Sequence, residues 1–327
     1  MGSALVDILA TVPDETLLRL GLVRGSMELV DLARAESIYA EMGPAVEVSG
    51  GSAANTVAGI AALGGRAGYI GKVADDALGS VFVHDMRSLG VELHAAVAGA
   101  GAGDAEQRGT GRCLVLVTGD AERTMATHLG VAATIGDTDV DDELVAAASV
   151  LYLEGYLWDL DAAKRAMRRA VRVAHEHDCS VALSLSDSFC VERHREELLD
   201  LVVTDVDLLF GNEGELCGLF GDASLDRALS SAEETGVLTV ATRGAAGSVV
   251  VAGRGPLMVP AAPVDGIVDT TGAGDLYAAG FLYGITHGAD PVDSARLGSL
   301  CAAEVIGHVG ARPQRDVAAL ALKAGLV

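Results

Sequence analysis

The sequence is short of positive charge. Its 327 residues include 23 Lys and Arg against 46 Asp and Glu, which gives a formal net charge of −23 at pH 7. Nucleic acids and anionic membrane surfaces are bound through clusters of basic side chains, and no Lys- or Arg-rich run offsets the acidic balance. The composition therefore predicts no nucleic-acid partner and no membrane partner.

Long apolar segments and paired cysteines are also missing. The longest uncharged run, residues 48–65, is rich in Gly, Ser, Asn and Thr, unlike a segment that spans a bilayer. The five cysteines are scattered and never form a Cys-x-x-Cys pair, which is typical of reduced thiols rather than of a disulfide framework. The first residues include Asp7 and no basic segment, so we expect no secretory leader and a cytoplasmic protein.

The chain from about residue 150 onward alternates between two kinds of pattern. Apolar runs typical of buried strands lie at 150–153, 181–185, 206–210, 237–241 and 248–251. Helical spacing lies at 161–177, 192–201, 276–286, 293–308 and 316–323. Strands that are apolar throughout and alternate with helices predict a mainly parallel sheet covered on both faces.

The first half of the chain has a different pattern. Residues 90–127 are strand-like and rich in Gly, residues 46–49 are also strand-like, and 99–104 is expected to be a flexible hairpin tip. These segments predict a small sheet separate from the main one. Helices are predicted at 52–63 and 77–89. Ser52 is expected to cap the first of them.

The most informative motif is Asp269-Thr270-Thr271-Gly272-Ala273-Gly274-Asp275, which stands before an apolar helix. The free N–H groups of Gly272, Ala273 and Gly274 are predicted to lie at the positive end of the helix dipole, where phosphate binds. A carboxylate repels phosphate, so Asp275 indicates chemistry instead: it would accept a proton from an attacking hydroxyl. The motif predicts phosphoryl transfer to an alcohol.

A second glycine motif, Gly50-Gly51 followed by Asn55, suits a polyol. Paired glycines bring backbone N–H groups near a ligand, and the Asn55 amide both donates and accepts hydrogen bonds. The alternative is a plain turn into a helix. Residues 99–104 resemble a dinucleotide-binding loop but lack its last glycine and its strand–helix context, which favours an ordinary loop.

Two further motifs follow predicted strands. Asn212 and Glu215 suit Mg²⁺ held through water, and the alternative is the capped start of a helix. The segment that contains Thr242, Gly244 and Gly247 suits the phosphates of a nucleotide, and the alternative is a hairpin turn.

The four motifs, in this order, resemble the ribokinase or phosphofructokinase-B (PfkB) family of carbohydrate and nucleoside kinases, and within it adenosine kinases most. The resemblance covers nearly the whole chain and implies a ribokinase-like three-layer α/β/α fold with a mainly parallel central sheet and a small β-sheet lid. The implied core, which binds nucleotide and substrate, comprises residues 1–7, 49–85 and 131–327. The implied lid comprises residues 8–48 and 86–130.

The resemblance also implies a reaction, the transfer of the γ-phosphoryl group of ATP to the 5′-hydroxyl of a purine nucleoside, most similar to the conversion of adenosine to AMP. Asp275 would act as the base. The amides of Gly272, Ala273 and Gly274 would stabilise the migrating group. Arg123 would clamp the same group from the lid.

The remaining implied roles concern the two substrates. Asp7, Gly51 and Asn55 would bind the ribose, and Phe189 would stack on the nucleobase, although burial statistics alone favour a core position for this Phe. The residues implied to bind ATP and, through water, Mg²⁺ are Thr242, Gly244, Gly247, Asn212 and Glu215.

Some features leave alternatives open. Adenosine kinases usually carry Asn where this chain has Ser3, which shortens or removes one sugar contact, and a truncated first core strand is one expectation. The alternatives are a sugar kinase of the same family, acting on ribose, fructose or a keto-deoxy acid, and a nucleoside-binding regulator without activity. Base preference, activation by K⁺ and the choice between a monomer and a homodimer formed through the lid also stay open.

Overall fold

The computed structural model describes residues 1–98, 109–120 and 122–327, so the hairpin tip predicted at 99–104 lies outside the described residues. The strands are β1 (Leu5–Thr11), β2 (Met27–Leu29), β3 (Val46–Gly50), β4 (Gly68–Ala74), β5 (Glu92–Ala98), β6 (Gly111–Val117), β7 (Arg123–His128), β8 (Val150–Glu154), β9 (Ser180–Ser184), β10 (Leu208–Asn212), β11 (Leu238–Thr242), β12 (Ser248–Val251) and β13 (Pro256–Val259). The α-helices are α1 (Asp14–Leu20), α2 (Leu32–Glu41), α3 (Ser52–Ala62), α4 (Ala77–Ser88), α5 (Asp142–Ala146), α6 (Asp161–Glu176), α7 (Ser188–Asp205), α8 (Glu213–Phe220), α9 (Leu225–Thr235), α10 (Ala273–Thr286), α11 (Pro291–Val305) and α12 (Val317–Ala324). None of the helices in these ranges is long and apolar enough to cross a membrane.

A sheet of six strands, here the large sheet, has the order β13-β12-β11-β10-β9-β8. Its strands β8 to β11 run parallel to one another. β12 is antiparallel to β11, and β13 is antiparallel to β12. Helices cover both faces, so successive side chains of one strand enter different cores. In β8, Leu151 and Leu153 pack with α6 and α7, whereas Tyr152 packs with α3 and α10. This arrangement confirms the predicted parallel sheet between two helical layers.

Five strands form a second sheet, here the small sheet, in the order β2-β7-β6-β1-β3. β1 pairs antiparallel with β3 and parallel with β6. The segment before β1 runs between β4 and β8, because the Gly2 amide donates to the carbonyl of Ile70 at 3.1 Å and the Ser3 amide donates to the Glu154 carboxylate at 3.0 Å. The chain therefore enters the small sheet from beside the large one. The predicted second sheet is confirmed for β3, β6 and β7, but the prediction is wrong for β5, which pairs in parallel with β4 in a separate two-stranded sheet.

The predicted limits of core and lid do not coincide with the ends of elements. The boundary after residue 7 falls inside β1, which lies wholly in the small sheet, and the boundary after residue 85 falls inside α4. The division into core and lid stays a prediction. Three helices also begin earlier than predicted, α7 at Ser188, α10 at Ala273 and α11 at Pro291.

Glycines let α10 and α11 approach closely on one face of the large sheet. A Cβ atom on Gly280 would lie 2.7 Å from the carbonyl oxygen of Leu297, and one on Gly284 would lie 2.6 Å from the hydroxyl of Ser294. Only glycine permits this contact between the two helix backbones. The packing fixes where the first turn of α10 stands.

Candidate active site

A cavity of about 1110 Å³ is lined by residues of the large sheet, the small sheet and the start of α10. It gathers most of the predicted site residues: Asp7, Gly51, Asn55, Arg123, Phe189, Asn212, Glu215, Thr242, Gly272, Ala273, Gly274 and Asp275. Gly244 and Gly247 lie outside this lining, in the turn that follows β11. Motifs that are far apart in the chain thus meet around one space.

The predicted phosphate-binding segment from Asp269 to Gly274, here the anion loop, leads into α10. Gly272 is the N-cap residue of this helix and has φ of +73°. A Cβ atom at Gly272 would lie 2.6 Å from that of Ala311, so both the conformation and the space require glycine. Among the described residues, no hydrogen bond uses the N–H groups of Gly272 and Gly274. The prediction that the Ala273 amide is equally free is wrong, because it donates to the carbonyl of Thr270 at 3.3 Å, closing a tight turn before the helix.

Asp275 stands in the first turn of α10, and side chains from α3 hold both of its carboxylate oxygens. The Ser52 hydroxyl donates to Oδ1 at 2.7 Å, and Nδ2 of Asn55 donates to Oδ2 at 2.9 Å. Burial raises the pKa of Asp275, while these two hydrogen bonds and the charges of Arg312 and Arg123 act in the opposite direction. The result is an oriented carboxylate with increased basicity at a helix N-terminus.

The prediction that Ser52 caps α3 is wrong. The N-cap residue is Gly51, with φ of +97°, and Ser52 is the first helical residue, so its hydroxyl is available to Asp275. A Cβ atom at Gly51 would lie 2.2 Å from the carbonyl oxygen of Ser3, which leaves no room for another residue type. The adjacent Gly50 meets Asp7 in the same way, because its Cβ would lie 2.2 Å from the Asp7 carboxyl carbon.

Asp7 lies in β1 and is buried. Burial raises its pKa to about 7, and the nearby Asp275 and Asp269 carboxylates add to this effect. The guanidinium groups of Arg312 and Arg123 oppose it. Asp7 is therefore a second acceptor in the same cavity, on a strand of the small sheet, whereas Asp275 lies at the start of α10.

Arg123 extends from β7 of the small sheet to the anion loop. Its Nε lies 2.8 Å from Oδ1 of the fully buried Asp269, and its Nη2 donates to the hydroxyl of Thr270 at 3.1 Å. Asp269 also accepts from the amides of Thr271 and Gly310. The small sheet is thus connected directly to the loop, although the predicted contact between Arg123 and a phosphate stays a prediction.

Asn212 and Glu215 form a capping box at the start of α8, as the alternative interpretation predicted. The Asn212 amide donates to Oε2 of Glu215 at 2.9 Å, and the Glu215 amide donates to Oδ1 of Asn212 at 3.0 Å. Burial raises the pKa of Glu215 to about 7. No group of three or more His, Cys, Asp or Glu suited to a metal ion occurs in the described ranges, and the role in Mg²⁺ binding stays a prediction.

Phe189 stands at the start of α7, two residues after the N-cap residue Asp187. Its side chain is 69% exposed and lines the cavity, so the alternative of a core position is wrong. An exposed aromatic ring at the edge of a cavity provides a flat apolar face to a ligand.

Two site residues were missed by the sequence analysis. Glu154, at the end of β8, accepts from the amides of Ser3 and Ala53 at 3.0 Å each, and its only sequence signal is its place after a buried strand. Arg312, in the loop after α11, donates to the carbonyls of Ser49 and Ala54. Its segment carries no motif, and only the fold brings it to the site.

Comparison with known proteins places these features in a family. A model described as pfkB family carbohydrate kinase matches residues 22–317. An adenosine kinase of Saccharomyces cerevisiae is 30% identical over 332 residues, which cover 95% of this chain and 94% of that protein. The crystal structure of an adenosine kinase from Sinorhizobium meliloti is 46% identical, covers 99% of this chain and 97% of that chain, and has a TM-score of 0.91. The crystal structure of a probable sugar kinase from Rhizobium etli is 42% identical, covers 100% of this chain and 97% of that chain, and has a TM-score of 0.92.

Proposed function

The chain belongs to the pfkB family of carbohydrate kinases, and on this basis we propose that it transfers the γ-phosphoryl group of ATP to the 5′-hydroxyl of a purine nucleoside, with adenosine the preferred acceptor. The observation that carries the proposal is the Asp275 carboxylate, held by Ser52 and Asn55 at a helix N-terminus in a large cavity. Similarity to adenosine kinases over almost the whole chain supports the nucleoside as acceptor and AMP as product.

In the proposed reaction, Asp275 accepts the proton of the 5′-hydroxyl while the oxygen attacks the γ-phosphorus. The bond between this phosphorus and its bridging oxygen breaks, and ADP leaves with the electron pair. Ser52 and Asn55 hold the carboxylate in one orientation. The raised pKa makes Asp275 a better proton acceptor at neutral pH than an exposed aspartate.

Charge on the migrating phosphoryl group is stabilised from two sides. The free amides of Gly272 and Gly274 line the cavity at the positive end of α10 and suit the phosphoryl oxygens. Arg123 adds a cation from the small sheet, at the loop that supplies these amides. Phosphoryl transfer of this kind depends on positioning and charge stabilisation rather than on covalent catalysis.

The acceptor is held at the opposite side of the cavity. Asp7, beside the Gly50-Gly51 turn, suits the vicinal hydroxyls of a ribose, and Asn55 adds an amide next to them. The exposed ring of Phe189 suits a stacked purine. A free pentose would leave this ring without a partner, which supports the nucleoside over the sugar.

The nucleotide is assigned to the ends of β10 and β11. Thr242 lines the cavity, with Gly244 and Gly247 in the turn behind it. Each oxygen of the Glu215 carboxylate already accepts a bond from Asn212 but keeps a second acceptor site, so the pair fits Mg²⁺ held through water rather than directly. Bound Mg²⁺ neutralises charge on the nucleotide phosphates.

The test is the release of ADP with ATP and Mg²⁺ against adenosine, guanosine, inosine, ribose and fructose, in K⁺ and in Na⁺ buffers. We expect the highest kcat/KM with adenosine, and the comparison of the two buffers measures the contribution of K⁺. A higher value for ribose or fructose than for every nucleoside would contradict the proposal.

A sugar kinase of the same family is the second candidate, favoured by the similarity to the probable sugar kinase from Rhizobium etli. The same substrate panel distinguishes it. A nucleoside-binding regulator is a more remote candidate, and the complete anion loop with Asp275 argues against it. Bound ATP and nucleoside without formation of ADP would favour the regulator.

A further inference from the structure

The loop that follows α11 contacts three parts of the site through three consecutive residues. The Gly310 amide donates to Oδ2 of Asp269 at 2.8 Å. Ala311 packs against Gly272, the N-cap residue of α10. Arg312 donates to the turn between β3 and α3. This loop therefore joins the anion loop to the turn between β3 and α3, here the acceptor turn, because we assign it to the binding of the acceptor.

Arg312 holds both ends of that turn. Its Nε and Nη2 donate to the carbonyl of Ser49 at 3.0 and 2.8 Å, Nη2 also reaches the Ser49 hydroxyl at 3.1 Å, and Nη1 donates to the carbonyl of Ala54 at 2.6 Å. The two carbonyls flank Gly50-Gly51 and the first residues of α3. Because Ser52 and Asn55 lie in the same turn of helix and hold Asp275, the position of the base depends on these bonds.

Arg312 forms no ion pair with any of the residues that the structure describes. All its acceptors within the described ranges are neutral carbonyl, hydroxyl and thioether groups. Its field nevertheless acts on Asp7 and on Asp275, and it opposes the effect of burial on both carboxyls. Burial lowers the pKa of Arg312 to about 10, which leaves the guanidinium protonated at neutral pH, and its planar set of donors fixes the position of this charge.

We propose that Arg312 is a positioning residue for the phosphoryl transfer: it fixes the turn that orients Asp275 and supplies a positive charge that stabilises the ionised carboxylates of Asp7 and Asp275 against the cost of burial. This proposal rests on Asp275 as the base. The other groups whose charge or titration is coupled to these carboxylates are Arg123, Asp269, Cys113, Tyr152 and Tyr156. Tyr69 and Asp85 also face Arg312 itself. Among the two cations, only Arg312 donates to the acceptor turn.

The test compares Arg312→Gln and Arg312→Lys with a control, Arg195→Gln, whose parent side chain donates to the carbonyl of Leu219 outside the cavity lining. Arg312→Gln removes the charge, so the acidic limb of the pH profile of kcat/KM should move to higher pH by about one unit. Arg312→Lys keeps the charge, so its limb should stay in place. Its kcat should fall about 10-fold, because one ammonium cannot replace the fork of donors. The control should match the wild type.

An NMR titration of the carboxyl groups of Asp7 and Asp275, assigned with the corresponding Asn variants, gives a readout independent of turnover. We expect the pKa values of both carboxyl groups to be higher in Arg312→Gln than in the wild type, whichever acceptor the enzyme uses. Unchanged titrations with an unchanged limb would overturn the role of the charge. Wild-type kcat in Arg312→Lys would overturn the positioning role, and this variant decides the matter if Arg312→Gln does not fold. If the wild-type enzyme transfers phosphate to none of the acceptors, but the pKa values of Asp7 and Asp275 rise in Arg312→Gln, the result would count against the proposed function alone.

Discussion

Replacement of Asp275 by Asn separates the proposed base chemistry from the geometry of the site. Asn has nearly the same shape as Asp, so Nδ2 of Asn55 can still donate to its oxygen, and the Ser52 hydroxyl can rotate to accept from its amide. The change therefore removes the proton acceptor and leaves the anion loop in place. Loss of a general base lowers turnover by about 10² to 10⁴-fold, and we expect kcat to fall within this range.

Stability should respond in the opposite direction. Since burial raises the pKa of Asp275, the ionised carboxylate is less favourable in the folded protein than in the unfolded chain at neutral pH. A neutral Asn removes this cost, so the melting temperature should stay the same or rise. Loss of activity with retained stability distinguishes a lost base from a disrupted fold.

The assay measures ADP release under saturating ATP, Mg²⁺ and nucleoside, together with thermal unfolding. Asp293→Asn is the matched control, because Asp293 is the acidic residue in the first turn of the following helix, α11, and is exposed to solvent. The control should retain wild-type turnover. Near-normal kcat in Asp275→Asn would refute the assignment of Asp275 as the base.

Three further predictions follow from the geometry of the acceptor side. Phe189→Ala should raise KM for adenosine by about 10-fold, from the loss of one stacked base, and leave ribose binding unchanged, whereas Val203→Ala, at another exposed apolar position of α7, should change neither. Equal effects on both ligands would contradict stacking. Gly51→Ala should abolish activity and lower the melting temperature, because its Cβ would lie 2.2 Å from a backbone carbonyl oxygen at φ of +97°, whereas Gly43→Ala meets nothing within 4 Å. Similar melting temperatures would argue against a strained turn. The raised pKa of Asp7, about 7, means that the folded protein favours its neutral form, so its unfavourable contribution grows as pH rises from the ordinary carboxyl pKa to about 7. Asp7→Asn should therefore stabilise the protein more at about pH 8 than at about pH 5, as measured by thermal unfolding, and an equal effect at both values would exclude this explanation.

Local sequence was sufficient for the strands from β8 to β12, for the helices with a clear apolar period and for the groups with a motif, but it did not predict α1, β2, α2, β4 or β13. The apolar runs around β8 to β11 predicted the parallel strands, because a strand buried on both faces must be apolar at successive positions. The segment from Asp269 to Asp275 predicted a helix N-terminus with unpaired amides, because Gly272 admits the left-handed backbone at the N-cap. The error at Ala273 arose from a tight turn whose acceptor, Thr270, cannot be inferred from composition.

Contacts between distant segments were not predictable in the same way. The hydroxyl of Ser52 was expected to serve its own helix, but the approach of α10 makes Asp275 its partner. Glu154 and Arg312 carry no local signal, since their partners are backbone atoms supplied by other elements. Side-chain type alone does not indicate which carbonyl or amide a folded chain will present.

The sequence by itself determined the family, the alternation of strands and helices, and the chemical types gathered for phosphoryl transfer, because these follow from short-range periodicity and from motifs whose spacing reflects backbone geometry. Only the tertiary structure decided how Asp275 is held, how Arg123 joins the small sheet to the anion loop, and how Arg312 joins that loop to the acceptor turn. The physical reason is that desolvation and hydrogen-bond geometry depend on atoms far away in the chain, which packing alone brings within reach.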